Sequence, residues 1–420
     1  MNWGNASGAV MSDPVCQLCL APLRHSFIDL GMSPLCETYI EPHQLDQAEI
    51  FYPLHAFVCE HCFLVQVPEC VAPEHIYDDY PYFSSYSDSW TEHARRYCDS
   101  MLDRFGLRPD SLVMEVASND GYLLQHFVKQ NIPCLGIEPA TNVAKVAVER
   151  GIETVSRFFG QALANELVEQ LPKPDLLIGN NVLAHVPDLN DFIAGMKILL
   201  KPCGVITMEF PHLLRLMQEK QFDTIYHEHF SYLSFLVAER AFAHHGLTIF
   251  DVEVLPTHGG SLRIFVRHTE NTSLAIADGV DRLRQQELVF GIDKLETYAE
   301  FEQGVFETKR KLLEFLIAAK HAGKQVVGYG APGKGNTLLN YCGIRTDFLD
   351  YTVDRSPHKQ GRFTPGTHIP ILHPDQIFQT RPDYVLILPW NLAEEITQQM
   401  AAIRDWGGQF VVPIPEVKVL

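Results

Sequence analysis

Leu112-Val113-Met114-Glu115-Val116-Ala117-Ser118-Asn119-Asp120-Gly121 is an apolar run that closes into a turn of small and polar residues. Tyr122–Gln130 then shows helical periodicity, so the stretch predicts strand, turn and helix in succession. A turn of this kind lets a ligand approach the backbone and meet the amides of a helix N-terminus. The same pattern repeats outward from it. Apolar runs at Cys134–Glu138, Asp175–Gly179, Gly204–Phe210 and Leu262–Arg267 alternate with helix-favouring segments such as Asn142–Arg150. That alternation predicts an α/β sheet. A long polar, helix-favouring stretch runs from Asp278 to Ala322. A second α/β pattern then opens, with strands expected at Gln325–Tyr329, Phe348–Val353, Tyr384–Leu388 and Phe410–Val412.

The polar groups of the first turn define its expected ligand. Glu138 ends the second run 23 residues after Glu115, where an acidic group suits the two hydroxyls of a ribose. This spacing fits dinucleotides and S-adenosylmethionine alike. The turn lacks G-x-G-x-x-G, so it has no pyrophosphate cradle, and Asn119 and Asp120 suit the charged amino-acid end of S-adenosylmethionine. The cofactor candidates are therefore Glu115, Ala117, Asn119, Asp120 and Glu138. Asn180, just past Asp175–Gly179, joins them because ligands of open α/β sheets bind beyond the carboxyl ends of the strands. His185 lies in the same zone.

Tyr226-His227-Glu228-His229 places two imidazoles, a carboxylate and a phenol within four residues. Histidine accepts a proton at neutral pH, a carboxylate orients it, and a tyrosine donates to a developing oxyanion. The alternatives are a surface loop and a metal site. A second glycine turn, Gly328-Tyr329-Gly330-Ala331-Pro332-Gly333, contains G-x-G-x-x-G after a strand, and Asp354 follows Gly333 by 21 residues. Read literally, this predicts NAD binding. Lys334 beside the loop and the cluster Arg355, Lys359 and Arg362 suit a pyrophosphate as well.

At 420 residues the chain is expected to form two or three domains. Its composition, 46% hydrophobic and 20% charged, is that of a globular protein and not a disordered one. A net charge of −19 argues against nucleic acid and anionic membranes as partners. No apolar run approaches the ~20 residues that span a bilayer. The N-terminus has neither the basic start nor the apolar stretch of a signal peptide, which predicts a cytoplasmic protein. Cys16-x-x-Cys19 and Cys59-x-x-Cys62 predict one tetrahedral four-thiolate zinc site, structural because no coordination position stays open. Cys36 and Cys70 read as buried apolar residues. A small unit over residues 13–75 would need its ion to fold. The aromatic, hydroxyl-rich segment Tyr77–Ser87 that follows reads equally as a packed connector or a ligand lid.

The cysteine knuckles recur together, in order, in a known family. So do Tyr82-Phe83-Ser84-Ser85-Tyr86-Ser87, Ser118-Asn119-Asp120-Gly121, Asn180-Asn181-Val182-Leu183-Ala184-His185 and Tyr226-His227-Glu228-His229. His258-Gly259-Gly260-Ser261-Leu262-Arg263 and Tyr329-Gly330-Ala331-Pro332-Gly333-Lys334-Gly335-Asn336 complete the set. Over nearly its whole length the chain resembles the zinc-containing three-domain sugar C-methyltransferases that act at C-3 of nucleotide-linked 4-keto deoxysugars. Ala117 departs from the family pattern, standing where a glycine is expected.

The resemblance implies an α/β protein of three units: a four-cysteine zinc domain (13–75), a Rossmann-like S-adenosylmethionine domain (76–255) and a second Rossmann-like domain for the sugar nucleotide (256–420). It implies His229 as the base that removes the C-3 proton. Tyr226, Glu228 and His185 would position the sugar, stabilise the enolate or shuttle the proton. Tyr82 and Ser84 join the cofactor contacts, and Lys334, Asn336, Arg355 and Lys359 lie near the pyrophosphate. The expected substrate is TDP-linked, although the base, the C-3 substituent (hydroxyl or amino) and a monomer or small homo-oligomer all stay open. Two other readings compete: an NAD(P)-dependent sugar-nucleotide enzyme using the second glycine turn, and a catalytically silent homologue serving as a binding module.

Overall fold

The computed structural model describes residues 14–71 and 83–420. Three sheets organise them, and each carries its chemistry at one edge or end. The first is antiparallel, in the order β1 (His25–Ser33), β2 (Tyr52–Val58), β3 (Val65–Gln66) and β9 (Ser231–Tyr232). The fourth strand is remote in sequence. Val65 and Gln66 pair with Tyr232 and Ser231, so the residues directly after Tyr226–His229 are stitched to the cysteine-bearing unit.

The central sheet has the order β10-β11-β8-β7-β4-β5-β6. Its five parallel strands are β4 (Val113–Val116), β5 (Cys134–Ile137), β6 (Thr154–Val155), β7 (Leu176–Asn180) and β8 (Val205–Pro211). Strands buried on both faces read as continuous apolar runs, as Leu176-Leu177-Ile178 does. The chain reverses direction across the sheet between β4 and β7. That crevice is where an open α/β sheet binds its ligand. β10 (Leu247–Leu255) and β11 (Ser261–His268) add an antiparallel hairpin against β8. The central sheet therefore continues past residue 255, and β11 lies within it.

The third sheet, β14-β13-β12-β15-β16-β17, comprises β12 (Val326–Tyr329), β13 (Thr352–Val353), β14 (Ile371–Leu372), β15 (Tyr384–Ile387), β16 (Gln409–Val412) and β17 (Lys418–Val419). All but β17 are parallel, and the switch point falls between β12 and β15.

Two expected elements come out differently. The helical stretch from Asp278 to Ala322 is two helices, Asp278–Phe290 and Leu295–His321, because Gly291 takes a left-handed φ of 95° and ends the first. The expected strand Phe348–Val353 shrinks to Thr352–Val353, since Phe348 and Leu349 both donate to Arg345 O in a turn. The long helix carries the first sheet on its back. Phe27 of β1 stacks on Phe301 at 4.5 Å and meets Tyr298 edge-on. That apolar core joins the first sheet to the C-terminal one. No helix among the described residues is long and apolar enough to cross a membrane.

Candidate active site

The four expected metal ligands converge. The sulfurs of Cys16, Cys19, Cys59 and Cys62 all lie within 4.8 Å of one another. Backbone amides point at them: Leu18 N is 3.4 Å from Cys16 Sγ and His61 N is 3.4 Å from Cys59 Sγ. Gln66 Nε2, at 3.3 Å, donates to Cys16 Sγ as well. Donors aimed at sulfur stabilise thiolates, and a thiolate is the form that binds metal.

The turn after β4 is wound tightly. Ala117 (φ 57°), Asn119 (φ 49°) and Gly121 (φ 77°) are all left-handed. Glu138, at the end of β5, accepts from Asn119 N at 3.0 Å and Ala140 N at 2.9 Å. Burial nonetheless pushes its carboxyl up to about 7. Ser84 N donates to Asn119 Oδ1 at 2.9 Å and Ser85 Oγ donates to Asp120. Arg150 also meets Asp120, at 3.1 Å. Phe83 and Tyr86 of the same segment stack against His358 in the C-terminal unit. The described part of the aromatic segment thus bridges the turn after β4 and the C-terminal unit at His358, while Tyr82 lies outside the described residues. Both carboxylate oxygens of Glu115, together with Ser118 Oγ, Asp120 Oδ1 and Asn180 Oδ1, are buried with no partner among the described residues. Buried groups of this kind are normally paired. Clustered where β4 and β7 diverge, they fit a polar ligand.

Tyr226, Glu228, His229 and His185 form one cluster. The His229 ring lies 4.6 Å from that of His185 and 4.0 Å from that of Tyr226. His229 Nδ1 is 3.0 Å from Thr224 O, and since a carbonyl only accepts, Nδ1 carries the hydrogen. Nε2 is left with the lone pair. Burial, with His185 adjoining, holds His229 well below the ordinary imidazole range, so the ring is neutral. Burial likewise pushes His185 down to about 4. Glu228 is pushed the other way, up to about 8, by burial and by Glu37. His227, the remaining residue of the motif, turns away and bonds Pro53 O.

A segment of the cysteine-bearing unit enters this cluster. Cys36 Sγ donates to Glu228 Oε1 at 3.7 Å, and Cys36 O accepts from Asn336 Nδ2 at 2.6 Å. A Cβ on Gly333 would sit 2.9 Å from the Cys36 sulfur. Tyr39 OH and Lys359 Nζ both donate to Ala331 O, and Lys359 faces Glu37 at 3.5 Å. Asp354 Oδ2 accepts from Ala331 N. The second glycine turn is therefore packed by Cys36, Glu37 and Tyr39. Lys334 stands apart from that packing. Its ammonium bonds Asn391 Oδ1 at 2.8 Å, lies over Trp390, and is held below the usual lysine range by burial. It is in electrostatic range of His229. The Arg355 side chain is 58% exposed and faces Glu395, away from the cluster.

Comparison with known proteins agrees with this geometry. Residues 256–415 match the family model of the C-methyltransferase C-terminal domain. Residues 16–77 match a zinc binding domain and residues 90–252 a methyltransferase domain. The C-methyltransferase NovU of Streptomyces niveus is 33% identical over 405 residues, covering 96% of each chain. The chain belongs to the C-methyltransferase family. Among solved structures, magnesium protoporphyrin IX methyltransferase of Synechocystis PCC 6803 with bound SAM covers 46% of this chain and 88% of its own, at 16% identity and TM-score 0.33. PH0226 of Pyrococcus horikoshii OT3 covers 47% and 96%, at 14% identity and TM-score 0.37.

This C-methyltransferase is S-adenosylmethionine-dependent and carries a zinc-binding domain, and its residues fit both groups. The unpaired oxygens of Glu115, Asp120 and Asn180 surround the first site, and four converging thiols form the second. Cys36, Glu37 and Tyr39 went unnoticed in the sequence as site residues. Their partners lie 192 to 322 residues away, and no spacing rule reaches that far.

Proposed function

We propose that the C-methyltransferase adds a methyl group to C-3 of a nucleotide-linked 4-keto-6-deoxysugar, TDP-linked in its expected form, in deoxysugar biosynthesis. The observation that carries this reading is the His229 ring, neutral, anchored through Nδ1 and flanked by His185 and Tyr226. A C–H beside a ketone is acidic because its carbanion spreads onto oxygen. His229 Nε2 takes the C-3 proton, and the electron pair passes onto the C-4 oxygen as an enolate. Tyr226, and Glu228 in its protonated form, donate to that oxygen. Bound S-adenosylmethionine supplies an electrophilic methyl group, and C-3 of the enolate is the nucleophile. Glu115, Asn119, Asp120, Glu138 and Asn180 hold the methyl donor, with Ser84 bracing Asn119. Lys334 meets the diphosphate. Alignment of the two substrates supplies much of the rate.

The test is incubation with S-adenosylmethionine and a panel of nucleotide-linked 4-keto deoxysugars, read by mass. The expected product gains one methyl group at C-3. His229→Ala is expected to lower turnover by at least ~100-fold, the scale of a lost general base, with methyl-donor affinity nearly intact. NAD binding by calorimetry without S-adenosylmethionine binding would overturn the reading, and so would full activity of His229→Ala.

A further inference from the structure

The turn Thr257–Gly260 joins β10 to β11 and carries His258. Three consecutive residues, His258 (φ 55°), Gly259 (φ 89°) and Gly260 (φ 118°), are left-handed. Glycine adopts that region freely; histidine does so at a steric cost, and such residues persist only where their surroundings hold them. Here four hydrogen bonds do the holding. Thr257 Oγ1 donates to Glu209 Oε1, Ser261 Oγ to Thr257 O, Gln221 Nε2 to Gly259 O and His212 N to Gly260 O, all between 2.8 and 3.0 Å. The His258 ring is set edge-on to Trp90 at 5.0 Å, and Trp90 stacks on His93 at 4.8 Å. The nearby Glu209 carboxylate is already engaged by His93, Arg263 and Thr257. In this tightly tied corner His258 Nδ1 is buried and has no hydrogen-bond partner among the described residues.

The position of the ring explains what the unpaired nitrogen is for. Gly259, the next residue, packs on Trp390, the ring over which Lys334 lies, and Trp390 Nε1 donates to Asp223 Oδ2, next to the Thr224 that anchors His229. A sugar nucleotide with its reacting carbon at His229 and its diphosphate at Lys334 is then held on residues that Trp390 ties to the His258 turn. Burial and the Lys334 ammonium push the imidazole down to about 4, so it is neutral and offers one N–H and one lone pair. We propose that His258 is a substrate-contact residue whose Nδ1 hydrogen-bonds a hydroxyl of the hexose, setting which sugars align with the methyl donor. The inference rests on the nucleotide-sugar reading above. The strained turn keeps the ring pointed at the sugar before substrate arrives.

Two substitutions separate contact from architecture. His258→Phe keeps a ring against Trp90 and removes the nitrogen. His258→Asn restores a polar group on a residue that tolerates left-handed backbone. Calorimetric titration with a TDP-linked 4-keto-6-deoxyhexose needs no turnover, and steady-state kinetics supply KM and kcat. His258→Phe is expected to weaken sugar-nucleotide binding and raise KM by roughly three- to tenfold, the effect of one lost hydrogen bond. Methyl-donor affinity and the thermal midpoint should stay unchanged, and His258→Asn should recover part of the loss. Unchanged sugar-nucleotide affinity in His258→Phe would overturn the proposal. So would a joint fall of sugar affinity, donor affinity and thermal midpoint, because that marks a structural role. A wild-type protein that binds the nucleotide sugar but does not methylate it sinks the substrate reading alone; one that binds no nucleotide sugar sinks both.

Discussion

Burial sets the protonation of the proposed catalytic cluster before any substrate binds. Glu228 shares its pocket with Cys36 and Glu37, and its carboxyl, at about 8, is protonated at neutral pH. Such a carboxyl donates to an enolate oxygen, whereas an ionised one repels it. The sign follows: turnover is expected to fall as pH rises through about 8, where Glu228 loses its proton. The same group holds a proton that the unfolded chain has released above 4.5, so it also costs stability as pH rises through that window. Glu228→Gln fixes the neutral form. A pH–rate profile of this variant should keep most of the activity and lose the alkaline limb. A limb that persists would sink the assignment. The cluster's members were legible because Tyr226-His227-Glu228-His229 is compact in sequence. Their protonation was not, since it depends on Cys36 and Glu37, which fold in from the first sheet.

At the scale of elements, legibility followed burial. Strands enclosed on both faces read directly: β7 opens with Leu176-Leu177-Ile178, and β4 is apolar except for Glu115. β10 does not, because Asp251 and Glu253 on this edge strand reach Arg104 and Arg263 and break the run. The turn after β4 read as a ligand turn, but its strain is visible only in the backbone. Ala117 sits at φ 57°. An L-residue there costs roughly 1–2 kcal/mol, and the extra chain entropy of glycine offsets about 0.5–1 kcal/mol of that. Ala117→Gly is therefore expected to stabilise the protein by about 0.5–1 kcal/mol, checked by urea unfolding. Gly121 gives the opposite case. A Cβ there would meet Ile152 Cδ1 at 2.2 Å on a φ of 77°. Gly121→Ala should destabilise by about 2–4 kcal/mol, overpacking and left-handed strain combined. Equal midpoints for the two variants would contradict the geometry.

At the scale of the whole molecule, the zinc-binding unit reaches into the proposed active site, and a net charge of −19 hides how local the chemistry is. The first sheet gains its last strand from Ser231–Tyr232, two residues past His229, and sends Cys36 to Glu228 and Tyr39 to the second glycine turn. None of Glu115, Asn119, Glu138 and Asn180, the residues proposed to hold the methyl donor, comes from that sheet. Loss of metal should therefore separate the two functions. Chelating the zinc, or Cys59→Ser, releases the knuckles that order the first sheet, since small metal domains fold with their ion. Methyl transfer is then expected to fall by more than ~10-fold, the loss seen when groups that orient a site are removed. S-adenosylmethionine affinity should change far less, because one face of the central sheet keeps a core of Val113, Leu176, Ile178 and Phe265 to which the first sheet contributes nothing. Calorimetry and the methyl-transfer assay on the same zinc-stripped sample decide it. Undiminished transfer would show that the Cys36–Glu228 contact is dispensable, and an equal collapse of both would show that the three sheets unfold as one.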